Sequence, residues 1–225
     1  MYLITNTSYK IDMELKRFVK EIINIRDEFN IATGLIMEYK EYFVFSIQNK
    51  AKWRIKNGNQ NIGLVGIGGG QEGNETIEEC LVRECKEEIN ENVKLIDEKE
   101  TILLNEGQIN LINNQELNFL SQRPYAITVI KNEQGDYREK PYTIVFSYRT
   151  VLQTLPVIGD IFGLVLCPKQ SICNIDQNGM MYEERIKLGT KMITKENLEE
   201  NSKLIPFGTF KSFIILMKEQ ETMRG

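Results

Sequence analysis

The run Gly68-Gly-Gly-Gln-Glu-Gly-Asn-Glu75, continuing as Thr76-Ile-Glu-Glu-Cys-Leu-Val-Arg83 and Glu84-Cys-Lys-Glu-Glu-Ile89, governs the reading of the whole chain. A short apolar segment, 62–67, leads into the glycines and reads as a buried strand. The residues after the glycines predict a helix over 76–89. Advancing about 100° per residue gathers Ile77, Leu81, Cys85 and Ile89 into one stripe. Glu84, Glu87 and Glu88 form a patch beside it, with Glu88 at the edge of the stripe. Glu78 falls inside the stripe and is an exception to the pattern. A solvated face is expected on the opposite side, where Glu79 and Lys86 lie. Three like charges on adjacent helical turns repel one another. A divalent cation offsets that repulsion and the cost of drying the carboxylates.

The spacing can be written as Gly, five residues, Glu, seven residues, Arg-Glu, an apolar residue, any residue, Glu-Glu. Gly69, Glu75, Arg83, Glu84, Cys85, Glu87 and Glu88 fill those places. This resembles the Nudix box, the defining motif of the Nudix hydrolases. The resemblance covers residues 69–91 and departs at two of them. Asn90 stands where the family has a glycine, and Glu91 where it has an apolar residue. The glycine closes the helix in a left-handed conformation, for which Asn is the best substitute. The departures bear on the helix exit rather than on the carboxylates.

The resemblance implies an α/β fold: an α/β/α sandwich with a mixed β-sheet and a catalytic loop-helix-loop, here with an N-terminal helix added. It implies that Glu84, Glu87 and Glu88 bind Mg²⁺ or Mn²⁺, joined by the backbone carbonyl of Gly69. Arg83 would orient the glutamates or pair with Glu75, and Glu75 and Asn90 would serve the motif structurally. The implied reaction is cleavage of a diphosphate linkage in a nucleoside diphosphate joined to another group. The alternative is a binding module of the same fold that senses a nucleotide with little or no turnover. The general base varies in position within the family. Glu84, Glu88, Glu116 and Glu196 are the candidates here. Recognition of the substrate lies outside the box and does not follow from it.

Elsewhere the chain is ordinary. It has 225 residues, 41% hydrophobic and 27% charged, with a net charge of −4. That balance argues against general nucleic-acid binding, which needs a basic face. A small anionic substrate in a locally positive pocket is not excluded. There is no histidine, so Ser-His-Asp and Cys-His sites are ruled out. The cysteines, Cys80, Cys85, Cys167 and Cys173, lack Cys-x-x-Cys spacing. They read as reduced thiols in a cytoplasmic protein rather than as a zinc site. No signal peptide and no membrane span are expected.

Along the chain, Leu15, Phe18, Val19, Ile22, Ile25 and Phe29 recur at helical spacing and predict a helix over 11–29. We assign 1–30 as a helical addition and 31–225 as the hydrolase domain. The apolar stripe of the addition needs a partner, either the core or, by slight preference, a second copy in a homodimer. Strands are expected at 34–39, 42–48, 62–67, 93–96, 101–104, 125–130, 142–148 and 161–167. A short helix is expected from a Thr194 cap through Glu200, and a last helix over 207–217. Residues 105–124 and 168–181 read as long loops, the first bordering the substrate pocket. The polar stretch 49–61 holds Trp53 with Lys52, Arg54 and Lys56. Its ordinary reading is a solvated loop. Lys52 and Arg54, with Gly68 and Gly70, are nevertheless the candidate substrate contacts.

Overall fold

Runs rich in Val, Ile, Phe and Tyr form strands, and the glutamate-rich stripe forms a helix. The computed structural model describes residues 13–56, 58–132 and 140–223. Residues 13–21 form helix α1. The strands β1 (Phe29–Tyr39), β2 (Tyr42–Ile47), β3 (Arg54–Lys56) and β4 (Asn59–Val65) follow. After α2 (Ile77–Ile89) come β5 (Thr101–Asn105), β6 (Gln108–Ile112), β7 (Ala126–Lys131), β8 (Tyr142–Val151) and β9 (Gly163–Pro168). The chain then forms β10 (Met180–Met181), α3 (Glu184–Lys187), β11 (Lys191–Thr194), β12 (Ser202–Pro206) and α4 (Gly208–Thr222). These elements divide between two compact units, and β1, α2 and β8 each contribute to both. The architecture is mixed α/β, as expected from the sequence.

The first unit takes in the described residues up to Gly34, with Gly68–Glu84 and Lys94–Arg149. Its strands are mixed in direction. β7 runs antiparallel to β8 and parallel to β5, and β5 turns back as β6. That turn has two residues, Glu106 (φ 48°) and Gly107 (φ 80°), between the paired Asn105 and Gln108. Two successive left-handed residues match the twist of a hairpin. Leu15, Phe18 and Val19 of α1 are buried, and the Phe18 ring lies 5.6 Å from that of Phe119.

The second unit holds Leu35–Ile67, Cys85–Val93 and Thr150–Gly225. Here β2 is antiparallel to β1, β4 and β9, while β12 lies parallel to β4. β11 pairs with β9 and β3 with β4. α4 supplies Phe210 and Phe213 against Phe45, with centroids 4.0 and 5.7 Å away. Complete burial of such side chains contributes about 1.5–3 kcal/mol each.

Several expectations are corrected. The first helix ends at residue 21, and Phe29 already belongs to β1; expected residues 11 and 12 lie outside the described residues. Of its stripe Leu15, Phe18, Val19 and Ile25 are buried, while Ile22 is exposed. Residues 93–96 form no strand, and 194–200 form no helix. The presumed loop from 105 is half hairpin, because β6 is largely solvent-facing and lacks an alternating apolar pattern. Residues 169–174 form a 3-10 turn within the second presumed loop. The polar stretch 49–61 contains β3 and the start of β4.

Candidate active site

The glycine loop is shaped by its attachment to β1 within the first unit. Thr33 N–H donates to the Gly69 carbonyl at 2.9 Å, and Gln71 N–H donates to the Ile31 carbonyl at 3.0 Å. Gly68 has φ +144°, and a Cβ there would sit 2.2 Å from the Thr33 oxygen. Glycine is thus required both by the backbone angle and by the approach of a neighbouring chain. The loop ends at a capping box. Thr76 N–H donates to the Glu79 carboxylate at 2.8 Å, and Glu79 N–H donates to Thr76 Oγ1 at 3.2 Å. The pair satisfies donors that a helix start otherwise leaves open.

Arg83 stands at the centre of the next layer. Its Nε and one terminal nitrogen grip Glu75 at 3.1 and 2.9 Å, a two-pronged contact. The other terminal nitrogen donates to Glu84 Oε1 at 2.9 Å, while the one that grips Glu75 also donates to the Gly70 carbonyl at 3.0 Å. The guanidinium holds Glu75 below the ordinary glutamate range, and Glu75 and Glu84 push Arg83 further up. Glu75 also accepts the Glu72 N–H at 2.7 Å. The side chains of Arg83, Glu75 and Glu84 are 25%, 16% and 13% exposed, so water screens this network less than a surface pair. Gly69 is packed against the same carboxylate. A Cβ on it would lie 2.2 Å from Glu84 Oε1.

The stripe of α2 is buried as read: Ile77, Leu81, Cys85 and Ile89 are at most 1% exposed. Glu78, the exception, has its own partners. Its Oε1 accepts from Ser121 N–H at 2.7 Å and from the Ser121 hydroxyl at 3.1 Å. Towards the end of the helix Glu87 is exposed and Glu88 half-buried. Asn90 takes φ 51°, the left-handed exit that the sequence reading assigned to it. The last carbonyls of the helix are capped within the second unit. Gly159 N–H donates to the Glu88 carbonyl at 2.7 Å and Asp160 N–H to the Glu87 carbonyl at 3.0 Å. A Cβ on Gly159 would meet the Glu87 oxygen at 2.2 Å.

Glu87 and Glu88 stand three and four residues after Glu84 on a single helix, the two spacings that make side chains neighbours. Carboxylate and carbonyl oxygens are the donors a hard cation prefers. The donor set therefore fits Mg²⁺ or Mn²⁺ in kind. Among the described residues no three acidic or cysteine side chains converge into a ready cluster.

No family model and no curated protein matches this sequence. Solved structures do. The chain is similar to a Nudix-family hydrolase from Clostridium perfringens, at 19% identity and a TM-score of 0.41, covering 65% of this chain and 85% of that one. It is similar to the MutT protein from Methanosarcina mazei, at 11% identity and a TM-score of 0.41, over 68% of this chain and 86% of the other. A third is the dihydroneopterin triphosphate pyrophosphohydrolase of E. coli, at 11% and 0.37, over 60% and 77%.

The remaining predicted residues lie in the second unit. Lys52 ends a 3-10 turn and Arg54 begins β3, both exposed. Arg54 borders a cleft of about 310 Å³ with Lys50, Trp53 and Gln60, and Lys52 does not line it. Trp53 is fixed by its indole N–H, which donates to the Gln48 carbonyl at 2.8 Å, and by an edge contact with Phe162 at 4.7 Å. Glu196 pairs with Lys50. The sequence reading missed the capping box, although Thr-x-x-Glu before an apolar run is its signature. It missed Gly159 as well, and no local signal marks that residue. Burial pushes the Cys80 and Cys167 thiols up to about 12, so neither is a nucleophile at neutral pH. No helix among the described residues is long and apolar enough to cross a membrane.

Proposed function

We propose that this chain is a metal-dependent hydrolase of Nudix type that cleaves a diphosphate linkage in a nucleoside diphosphate joined to another group. The observation that carries the reading is the coupling of motif residues through Arg83. It grips Glu75 with two nitrogens and Glu84 with a third, while Gly69 closes on the same Glu84 carboxylate. A surface ion pair needs none of this. An arginine that must hold one carboxylate for a ligand needs all of it.

In this reading Glu84, Glu87, Glu88 and the Gly69 carbonyl hold Mg²⁺ or Mn²⁺. When bound, the cation would neutralise diphosphate oxygens and make a bound water more acidic. Arg83 keeps Glu84 in place and balances its charge. Gly70 allows the substrate to approach the backbone closely, Gly68 shapes the loop beside it against Thr33, and Lys52 and Arg54 contact its phosphates. The base that takes the proton from water is one of Glu84, Glu88, Glu116 and Glu196. The pH–rate profiles of the four Glu→Gln variants would assign it. We place the protein in the cytoplasm, acting on a small nucleotide.

The test is a panel of nucleoside triphosphates, nucleotide sugars, ADP-ribose and dinucleotides, each assayed with Mg²⁺, with Mn²⁺ and with chelator. Metal-dependent release of a phosphate-terminated product from at least one member is expected. The alternative is a nucleotide-sensing module of the same fold. That reading gains if the panel binds and none of it turns over with either metal.

A further inference from the structure

A second cavity, of about 650 Å³, lies in the second unit and uses no residue of the glycine loop or of α2. Its rim is the turn joining β1 to β2, with Lys40 and Tyr42, and its walls come from α3 and β11, with Arg185 and Lys191. The size suits a small organic molecule, for which sites of about 300–1,000 Å³ are usual. Three cations face it, against the single carboxylate of Glu41. This local excess of positive charge occurs on a chain whose net charge is −4. The neighbouring Lys169 is already committed, since its ammonium pairs with Glu38 at 2.6 Å.

One polar atom of a lining residue, Arg185 Nε, is buried without a hydrogen-bond partner, whereas the Thr190 side chain bonds the Cys167 thiol. A buried donor left without a partner is costly, and a guanidinium so placed gains from a new acceptor on its other nitrogens. Arg185 is held in place by its stacking on Tyr182, with the guanidinium carbon 4.0 Å from the ring centre. The Lys191 ammonium lies 5.0 Å from the centre of the Tyr42 ring. The rest of the wall is apolar, with Leu155, Met192 and Ile193. Ile193 is 41% exposed on β11, which pairs only with β9 among the described strands.

We propose that this cavity binds a phosphorylated small molecule with a flat or apolar body, its phosphate set among Lys40, Arg185 and Lys191 and its body against Tyr42, Leu155 and Ile193. A phosphate accepts from the planar fork of arginine and from lysine ammonium groups. Tyrosine rings and aliphatic side chains cover the dry part of such a molecule. The inference stands apart from the proposed hydrolysis, because no metal-box residue contributes to it.

The test uses the full chain in chelator, so that no metal-held substrate competes. AMP and inorganic phosphate are titrated separately by calorimetry. AMP is expected to bind more tightly than phosphate, and to weaken as salt rises. Arg185→Met and Lys191→Met should each weaken AMP binding about tenfold or more, the loss of one charge-assisted contact. Leu155→Trp, which fills the cavity without touching charge, should weaken it as well, and it guards against an arginine variant that merely misfolds. Glu87→Gln, in the metal box, should leave AMP affinity within about twofold, below the scale of one such contact. The proposal is overturned if wild type binds neither probe, if the cavity variants bind AMP as wild type does, or if only Glu87→Gln changes its affinity. A negative hydrolysis panel would leave these outcomes untouched.

Discussion

Arg83 differs from an ordinary helix-surface arginine in the number of its commitments, and that sets the consequences of changing what it touches. Glu75 is held below its usual range mainly by the hydrogen bonds from Arg83. A carboxylate with a depressed folded-state value stabilises the fold fully above the ordinary glutamate value, and that contribution is lost as pH falls through the lowered value. Glu75→Gln should therefore melt below wild type at neutral pH by about 2–4 °C, the shift that about 1 kcal/mol produces in a chain of this size. The gap should close as the pH is lowered, and melting curves at several pH values would show it. A gap that widened in acid would contradict the pairing. The glutamates proposed to hold metal should respond oppositely. On the proposed function Glu87→Gln or Glu88→Gln would delete a ligand and relieve like-charge repulsion, so the fold should survive while activity falls by roughly two or more powers of ten. Glu79→Gln is the control. It keeps an oxygen acceptor for the Thr76 N–H and so preserves the capping box, and activity should stay within about twofold. Equal losses at Glu79 and Glu88 would remove the metal site from the proposal.

At the scale of elements, α2 meets two glycines that do different work. Gly69 faces the end of a side chain, Glu84 Oε1, whereas Gly159 faces the backbone oxygen of Glu87. A carboxylate can swing aside and a helix carbonyl cannot. Gly69→Ala should thus leave the melting temperature nearly unchanged and cut turnover, because Glu84 must move. Gly159→Ala should cost about 1–3 kcal/mol, as overpacking does, since the helix end must shift. Thermal melts run beside rates would separate them, and a stable, active Gly159→Ala would refute the docking of 159–160. The two glycines also mark what a sequence can reveal. Gly69 stands in a spaced pattern with Glu75, Arg83 and Glu84, and the helical period of α2 alone puts Leu81 and Cys85 on the buried side. Gly159 lies seventy residues beyond Ile89, and nothing local in Val157-Ile-Gly159-Asp shows that its N–H caps a helix. β6 and β11 escaped for a related reason. β6 has exposed residues where alternation is expected, and β11, Lys191–Thr194, is short, carries no alternating apolar pattern and pairs with β9 more than twenty residues earlier. The missing helix at 194–200 shows that a capping threonine alone carries little weight when strand pairing competes, as Thr194 pairs with Gly163.

At the scale of the molecule, the question is whether the apolar residues of the chain are covered by the chain itself. The N-terminal stripe is the critical case, because its periodicity asks for a partner without naming one. Leu15, Phe18, Val19 and Ile23 are 5%, 2%, 0% and 3% exposed in a single copy, while Ile22 beside them is 38% exposed. A dimer contact through the buried part of the stripe would have to open the Phe18–Phe119 ring contact. Ile22 alone is the kind of isolated exposed side chain that soluble proteins carry without consequence. Phe18→Ala should then cost about 3–5 kcal/mol, the usual loss for a large buried ring and the cavity it leaves. The sedimentation coefficient of the folded variant should equal that of wild type across a range of protein concentrations. Were α1 a dimer seam, the same substitution would spare the fold of the monomer and shift the sedimentation towards a smaller species. A loss of stability at constant mass and a loss of mass at constant stability are opposite results, and one pair of measurements, denaturant unfolding and velocity sedimentation, decides between them.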